Sequence, residues 1–295
     1  MLSQVPFALV NGLSMAMTTF LVAAGLTLIF GVLKILNFAH GAFFMVATYV
    51  AFSALKWLGG EPTLITFFSA AFISAGVIGL VGLVADFVVL RRLRGMDEGA
   101  MLIATFALLL LCQGGTKLIW GVDQFATQPP EVLAGLVTIG DISFPKFSLA
   151  VIALGVVAFV VLDLMIHRSW FGKVIQGIAH DRWIIELFGV NVSRVYTAVV
   201  AIAFALVGLS GGLLLPNQAL SLELGDTYVL LSFVVLIIGG LGNVRGAFLA
   251  AVLLGLIDSM TFVVLPAFQS FSQYAAIVAF LVFRPQGLLG QKSAL

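Results

Sequence analysis

Apolar residues recur in runs of about twenty along almost the whole chain, separated by short polar or charged intervals. The runs occupy 6–33, 42–58, 64–90, 100–120, 149–166, 195–215, 227–241, 247–265 and 269–283. About twenty residues at a rise of 1.5 Å each cross roughly 30 Å of hydrocarbon, so this is the pattern of membrane-spanning α-helices. The residue-by-residue alternation that a membrane strand requires is absent, which argues against a barrel. The pattern predicts an all-α, polytopic helical membrane protein: one transmembrane domain over 1–295 with about eight transmembrane helices, its N-terminus outside and its C-terminus inside. The runs at 6–33 and 64–90 exceed the length a crossing needs. That leaves room for short or re-entrant segments, and so for nine or ten membrane helices.

The longest charged interval, His167 to Arg194, orients the rest. Its basic Arg168, Lys173, Arg182 and Arg194 outnumber Asp181 and Glu186, and basic loops beside membrane spans stay cytoplasmic. Arg91, Arg92, Arg94, Arg245 and Arg284 fall on the same side of the predicted topology. Within the interval, Asp181 to Phe188 reads as a short amphipathic helix. Arg182 and Glu186 stand at i,i+4, while Trp183, Ile184, Leu187 and Phe188 share helical spacing and Gly189 ends the helix. Such an apolar stripe suits either a groove on a partner protein or the headgroup interface, where Trp183 and Lys173 would also fit.

Polar residues inside the runs are the other signal. Gly12, Gly25, Gly31, Thr18, Thr19 and Thr27 let the first helix approach its neighbours closely, which places it inside the bundle; Gly208 to Gly212 provides a second close-packing face. Asn37-Phe-Ala-His-Gly41 interrupts the first two runs. Non-helical backbone at membrane depth is tolerated only where protein or a watery cavity receives it, and discontinuous helices build substrate sites in transporters. The alternative is an ordinary cytoplasmic turn with His40 on its surface. Thr105, Gln113, Thr116 and Lys117 bring polar groups into the fourth run. Asp86, one turn inside the arginines at 91–94, is expected to pair with one of them. Asp258 falls near the middle of its run, where an unpaired carboxylate costs several kcal/mol; it should face the bundle interior, beside a permeation route or within a structural network. Gly121 to Phe147, with Pro129, Pro130, Asp123, Glu131 and Asp141 against one Lys146, reads as an external loop. His40-Gly-Ala-Phe43 and Arg245-Gly-Ala-Phe248 echo one another, each opening an outward crossing, a faint trace of parallel duplication.

Composition agrees: 62% of the 295 residues are hydrophobic and 9% charged, and a mean hydropathy of +1.20 exceeds what a water-soluble core requires. A net charge of +1 without a basic tail excludes nucleic acid as a partner. Cys112 is the sole cysteine, so neither an intrachain disulfide nor a thiolate metal cluster can form. Met-Leu-Ser-Gln-Val-Pro at the start lacks a positive n-region, and the first span is expected to be retained. Gly239 to Gly246 lacks the lysine of a phosphate loop, the three histidines at 40, 167 and 180 form no H-E-x-x-H, and there is no G-x-S-x-G. Asp97 and Glu98 are adjacent and point apart on a helix, as in a solvated loop. These absences predict a chain that is not an enzyme, binds no cofactor or metal of its own and cannot use ATP alone. A self-sufficient channel or secondary carrier is the competing class, but a single intramembrane acid offers no proton relay.

Taken in order, Gly25-Leu-Thr-Leu-Ile-Phe-Gly31, Asn37-Phe-Ala-His-Gly41, Ile103-Ala-Thr105 with Gln113, Trp120-Gly121-x-Asp123, Asp181-Arg182 with Gly189-Val-Asn191, Ile238-Gly-Gly-Leu-Gly242 and Arg284-Pro-Gln-Gly287 resemble the membrane permeases of bacterial branched-chain amino acid ABC importers. The resemblance implies a multi-pass subunit of the bacterial inner membrane, surrounded by lipid. It also implies partners: a second homologous permease, two cytosolic ATP-binding subunits that use ATP and Mg, and a periplasmic solute-binding protein. Asp181, Arg182, Leu187, Gly189 and Asn191 match the family's cytoplasmic motif, so 167–194 becomes the coupling loop, with Trp183, Glu186 and Phe188 on its helix. Asn37, His40 and Gly41 match the family's first break and, with Thr105, Gln113 and Asp258, are the candidates for the translocation pathway. Gln176 and Gly177 stand where Arg-Ala is usual, and Ile185 replaces a customary alanine. Relatives of such permeases also serve urea, short amides and aromatic acids.

Overall fold

A computed structural model of the chain describes residues 5–94, 96–139, 142–284 and 286–289. Among these, nine long apolar helices carry the fold: α1 (Val5–Leu33), α2 (Ala39–Trp57), α3 (Leu64–Ala85), α5 (Glu98–Trp120), α6 (Lys146–Arg168), α9 (Val192–Leu214), α10 (Leu224–Gly239), α11 (Val244–Val264) and α12 (Gln269–Phe283). The short α4 (Arg91–Leu93), α7 (Trp170–His180) and α8 (Arg182–Leu187) gather at one end. Six helical stretches among the described residues are long and apolar enough to cross a membrane, and the Leu224–Gly239 and Phe271–Phe283 helices are apolar but shorter.

Close contacts fix the directions of α11, α6 and α9 relative to α1. Gly12 lies against Gly255 and Ser259 and Phe20 meets Phe248, so α11 runs antiparallel to α1. Gly155 sits on Met17 and Phe159 on Phe20, so α6 runs parallel to it. The Ser210 hydroxyl donates to the Thr18 carbonyl at 2.8 Å while Gly25 abuts Ala203, which makes α9 antiparallel to α1. The nine long helices among the described residues lie inside the expected range of eight to ten.

α1 is buried along most of its length, as its glycines and threonines predict, and α2 equally so. Gly208, Gly211 and Gly212 seat α9 on Ala75, Ala47 and Ala71 of α3 and α2 with no space for a Cβ. Beyond Ala85 the helix widens into a π turn over Asp86–Leu90 before α4. Asp86 is fully buried there. It pairs with Arg94, lies 3.9 Å from Arg91 and accepts the Thr197 hydroxyl at 2.8 Å, which ties the end of α3 to α9. A buried carboxylate is tolerated when neutralised and hydrogen-bonded in this way.

Two features were not foreseen. The polar loop 121–147 carries a hairpin, β1 (Leu136–Ile139) against β2 (Ile142–Pro145); Asp141, assigned to that loop, lies outside the described residues, as do residues 1–4 and Pro285. The interval 167–194 is helical almost throughout: α6 extends to Arg168 and α7 precedes α8.

Candidate functional site

α1 ends where Lys34 adopts φ +57°, a left-handed conformation in which its N–H still reaches the Phe30 carbonyl at 3.0 Å. The chain reverses there and runs back along α1. His40 Nε2 then lies 2.9 Å from the Val22 carbonyl, eleven residues and ~16 Å above the end of α1. The break therefore leads back to a level well inside the length of α1 rather than at its end. It covers residues 34–38, and His40 and Gly41 belong to the first turn of α2 rather than to the interruption itself. Asn37 organises that turn: Oδ1 accepts from the Ala39 N–H at 3.1 Å and its carbonyl from the His40 N–H at 3.2 Å. Asn37 and His40 are both fully buried, which overturns the alternative of a surface turn.

Two glycines shape the break. The His40 ring occupies the slot left by Gly25, where a Cβ would stand 3.1 Å from it. A Cβ on Gly41 would stand 2.6 Å from Val229 Cβ and would also strike the Gly225 carbonyl, so α2 and α10 touch backbone to backbone. Above the break, the Tyr228 ring lies tilted against Phe44 with centroids 4.1 Å apart, and below it Phe233 meets Phe38 at 5.0 Å. α10 thus begins well below the outer end of α2. Asp226 is in the first turn of this recessed helix, exposed to the outside of the subunit. Gln113 Nε2 donates to its two carboxylate oxygens at 3.1 and 3.2 Å.

Of the remaining pathway candidates, Thr105 is buried and its hydroxyl bonds to the Met101 and Leu102 carbonyls of its own helix at 3.0 and 3.1 Å. Asp258 is buried and held by the side-chain amides of Gln269 and Gln273 at 3.2 and 3.1 Å. Its neighbour Ser259 donates to the Ala8 carbonyl, so Asp258 lies toward the outer end of α1. This corrects its placement at mid-span.

At the opposite end, where the arginines gather, α7 and α8 form a corner. The apolar face of α7, with Val174, Ile175 and Ile178, is buried in the body of the protein. Asp181 is the cap of α8 rather than part of it, accepting the Trp183 and Ile184 N–H groups at 2.8 and 3.2 Å. Arg182 Nε bonds Glu186 at 2.7 Å, and the Glu186 carboxylate holds that guanidinium above its ordinary pKa. Gly189 closes the helix at φ +77°, and Asn191 caps α9 through the Arg194 N–H at 3.1 Å. No residue of α8 is buried. Trp183, Leu187 and Phe188 are 67%, 66% and 79% exposed, too much apolar surface to be explained by the fold of this chain alone. Beside the corner a cavity of about 760 Å³ opens between α1, α7 and the 237–244 turn, with Lys34, His167, His180 and Asn243 in its wall.

A family model described as branched-chain amino acid transport system / permease component matches residues 8–283, nearly the whole chain. The chain belongs to this permease family. It is 30% identical over 304 residues to the high-affinity branched-chain amino acid transport system permease protein BraD of Pseudomonas aeruginosa, an alignment covering 96% of this chain and 95% of that protein. It is 26% identical over 294 residues to LivH of Salmonella typhimurium, a permease protein of the same description, covering 95% and 94%. A probable branched-chain amino acid transport permease protein LivH of Methanocaldococcus jannaschii is 26% identical over 284 residues, covering 92% and 88%. No solved structure matches the chain.

In this permease subunit the corner is closely packed around Gln176, Gly177 and Ile185. Gly177 faces Ile185, whose Cδ1 would lie 2.6 Å from a Cβ at 177. Volume missing at one position is supplied at the other, and the corner stays packed. Gln176 donates to the Ile166 carbonyl at 2.7 Å and covers the end of α6. These contacts lie inside the corner and leave the exposed face of α8 free. Sequence reasoning missed Asp226, although one signal was available: the run at 227–241 is too short to reach from the outer surface.

Proposed function

We propose that this permease subunit is half of a passive conduit in a bacterial ABC importer, moving branched-chain or other small neutral amino acids across the inner membrane. A second homologous permease completes the conduit, two cytosolic ATP-binding subunits drive it, and a periplasmic solute-binding protein delivers the cargo. The N-terminus is periplasmic and the C-terminus cytoplasmic, because the arginine-rich end belongs in the cytosol. The coupling site is Asp181, Arg182, Trp183, Glu186, Leu187, Phe188, Gly189 and Asn191, with α8 resting in a groove of an ATP-binding subunit. The observation that carries this reading is the exposed apolar face of α8, a capped helix on a corner anchored by the buried side of α7. Closure of the ATP-binding pair then selects between two arrangements of the permease pair, a rigid-body step that needs no titrating group inside the membrane.

The test is to co-purify the complex, supply solute-binding protein, and measure ATP hydrolysis with valine, leucine, isoleucine, urea, acetamide and benzoate in turn. Stimulation by the aliphatic amino acids is the expected result. Stimulation by urea, an amide or an aromatic acid alone would reassign the cargo, and failure to co-purify with an ATP-binding subunit would remove the reading.

A further inference from the structure

Two rulers that share the outer end of α2 place Asp226 near mid-height of the spanning helices. Phe44, the ring partner of Tyr228, lies thirteen residues before Trp57, so Asp226, two residues before Tyr228, is ~17 Å below the outer end of α2. Gln113 lies seven residues before Trp120, whose indole N–H donates to Ser53 at 2.8 Å, and the same rise puts Gln113 ~16 Å below that end. A hydrocarbon core is roughly 30 Å thick. A carboxylate is therefore presented at mid-depth on the outside of the subunit, bonded to one amide and otherwise exposed. Lipid does not tolerate a charge there, so this face borders a polar passage.

The surroundings are specific. Lys117 is exposed one turn above Gln113 on the same face of α5 and joins no ion pair among the described residues. Thr227 is exposed beside Asp226, and Gly114 leaves open space next to Gln113. One turn deeper on each helix stand Leu110 and Leu230, 52% and 49% exposed. An anion, an amide and a cation thus line one seam between α5 and α10, with aliphatic surface directly below.

We infer that Asp226, Gln113 and Lys117 form the recognition point for the zwitterionic backbone of an α-amino acid inside the conduit. Asp226 receives the ammonium group, Gln113 orients that carboxylate and offers its own carbonyl oxygen, and Lys117 receives the substrate carboxylate. Leu110 and Leu230 meet the aliphatic side chain. Urea, which carries neither charge, gains nothing from such a seam. The inference rests on the amino acid permease reading and names the residues that would give it chemical selectivity.

The test uses the complete complex in proteoliposomes with radiolabelled leucine, with assembly of every variant checked by co-purification. Asp226→Asn and Lys117→Met should each lower uptake by roughly tenfold or more, and the exchanged pair Lys117→Asp with Asp226→Lys should recover part of it. In a Cys112→Ala background, Thr227→Cys, which keeps Asp226, should react with a hydrophilic thiol reagent and be protected by leucine. Wild-type uptake in assembled Asp226→Asn and Lys117→Met complexes would overturn this inference alone, as would an introduced thiol at position 227 that is unreactive or that leucine does not protect. A wild-type complex that moves no amino acid at all would instead remove the reading beneath it.

Discussion

Gly41→Leu is expected to abolish uptake and to lower the stability of the solubilised protein by several kcal/mol. Overpacking a well-packed core typically costs 1–3 kcal/mol, and here the obstacle is backbone: the added carbon would strike the Gly225 carbonyl and stand 2.7 Å from the Val229 nitrogen. A flexible side chain can rotate away, but the first turn of α10 cannot. The consequence reaches past stability, because that contact holds the buried Asn37 and His40 in place and fixes the height at which α10 begins. The measurement is thermal unfolding in detergent alongside uptake, with Gly76→Leu as the control. Nothing lies within 4 Å of a Cβ at 76, so that variant should behave as wild type. A Gly41→Leu protein with normal stability and transport would mean that the α2–α10 contact is dispensable.

Asp181→Lys combined with Glu186→Lys should leave the protein inserted and the permease pair assembled while reducing uptake to background. Losing the cap costs α8 about 1 kcal/mol, and losing an exposed i,i+4 pair adds only about 0.3–0.5 kcal/mol, so the global fold survives. What changes is the corner itself. A six-residue helix has little else to hold it, and two acids facing a partner groove become two cations. Expression, co-purification of the ATP-binding subunit and leucine uptake are measured together. Normal uptake at normal expression would show that α8 does not transmit the stroke.

Most of the architecture was legible because a bilayer imposes length and polarity on each helix separately. Runs of apolar residues gave the helices, arginines gave their common end, and small residues identified α1 and α9 as close-packing elements before any contact was known. Local chemistry was legible too: the Arg182–Glu186 pair, the Gly189 terminator and the pairing of Asp86 all follow from spacing. Depth was not. Where α2 and α10 begin depends on the reversal at Lys34 and on Gly41 meeting Gly225, contacts between distant parts of the chain that hydropathy does not encode. For that reason His40 was offered as either deep or superficial, Asp226 drew no attention at the edge of its run, and Asp258 was set too near mid-span. α7 escaped notice because its buried face packs on the arginine-rich end of the protein rather than facing lipid, so its apolar residues are interleaved with Lys173, Gln176 and His180. The hairpin at 136–145 was hidden in a loop read for charge alone.

The proposed mechanism separates two roles: this subunit supplies the passage, and energy arrives only through its arginine-rich end. The most direct measurement reconstitutes the permease pair with solute-binding protein in proteoliposomes and follows leucine entry with and without the ATP-binding subunits and internal ATP. Uptake should be absent from the permease pair alone and appear only when the ATP-binding subunits and ATP are both present. Sustained leucine accumulation by the permease pair without them would contradict the account.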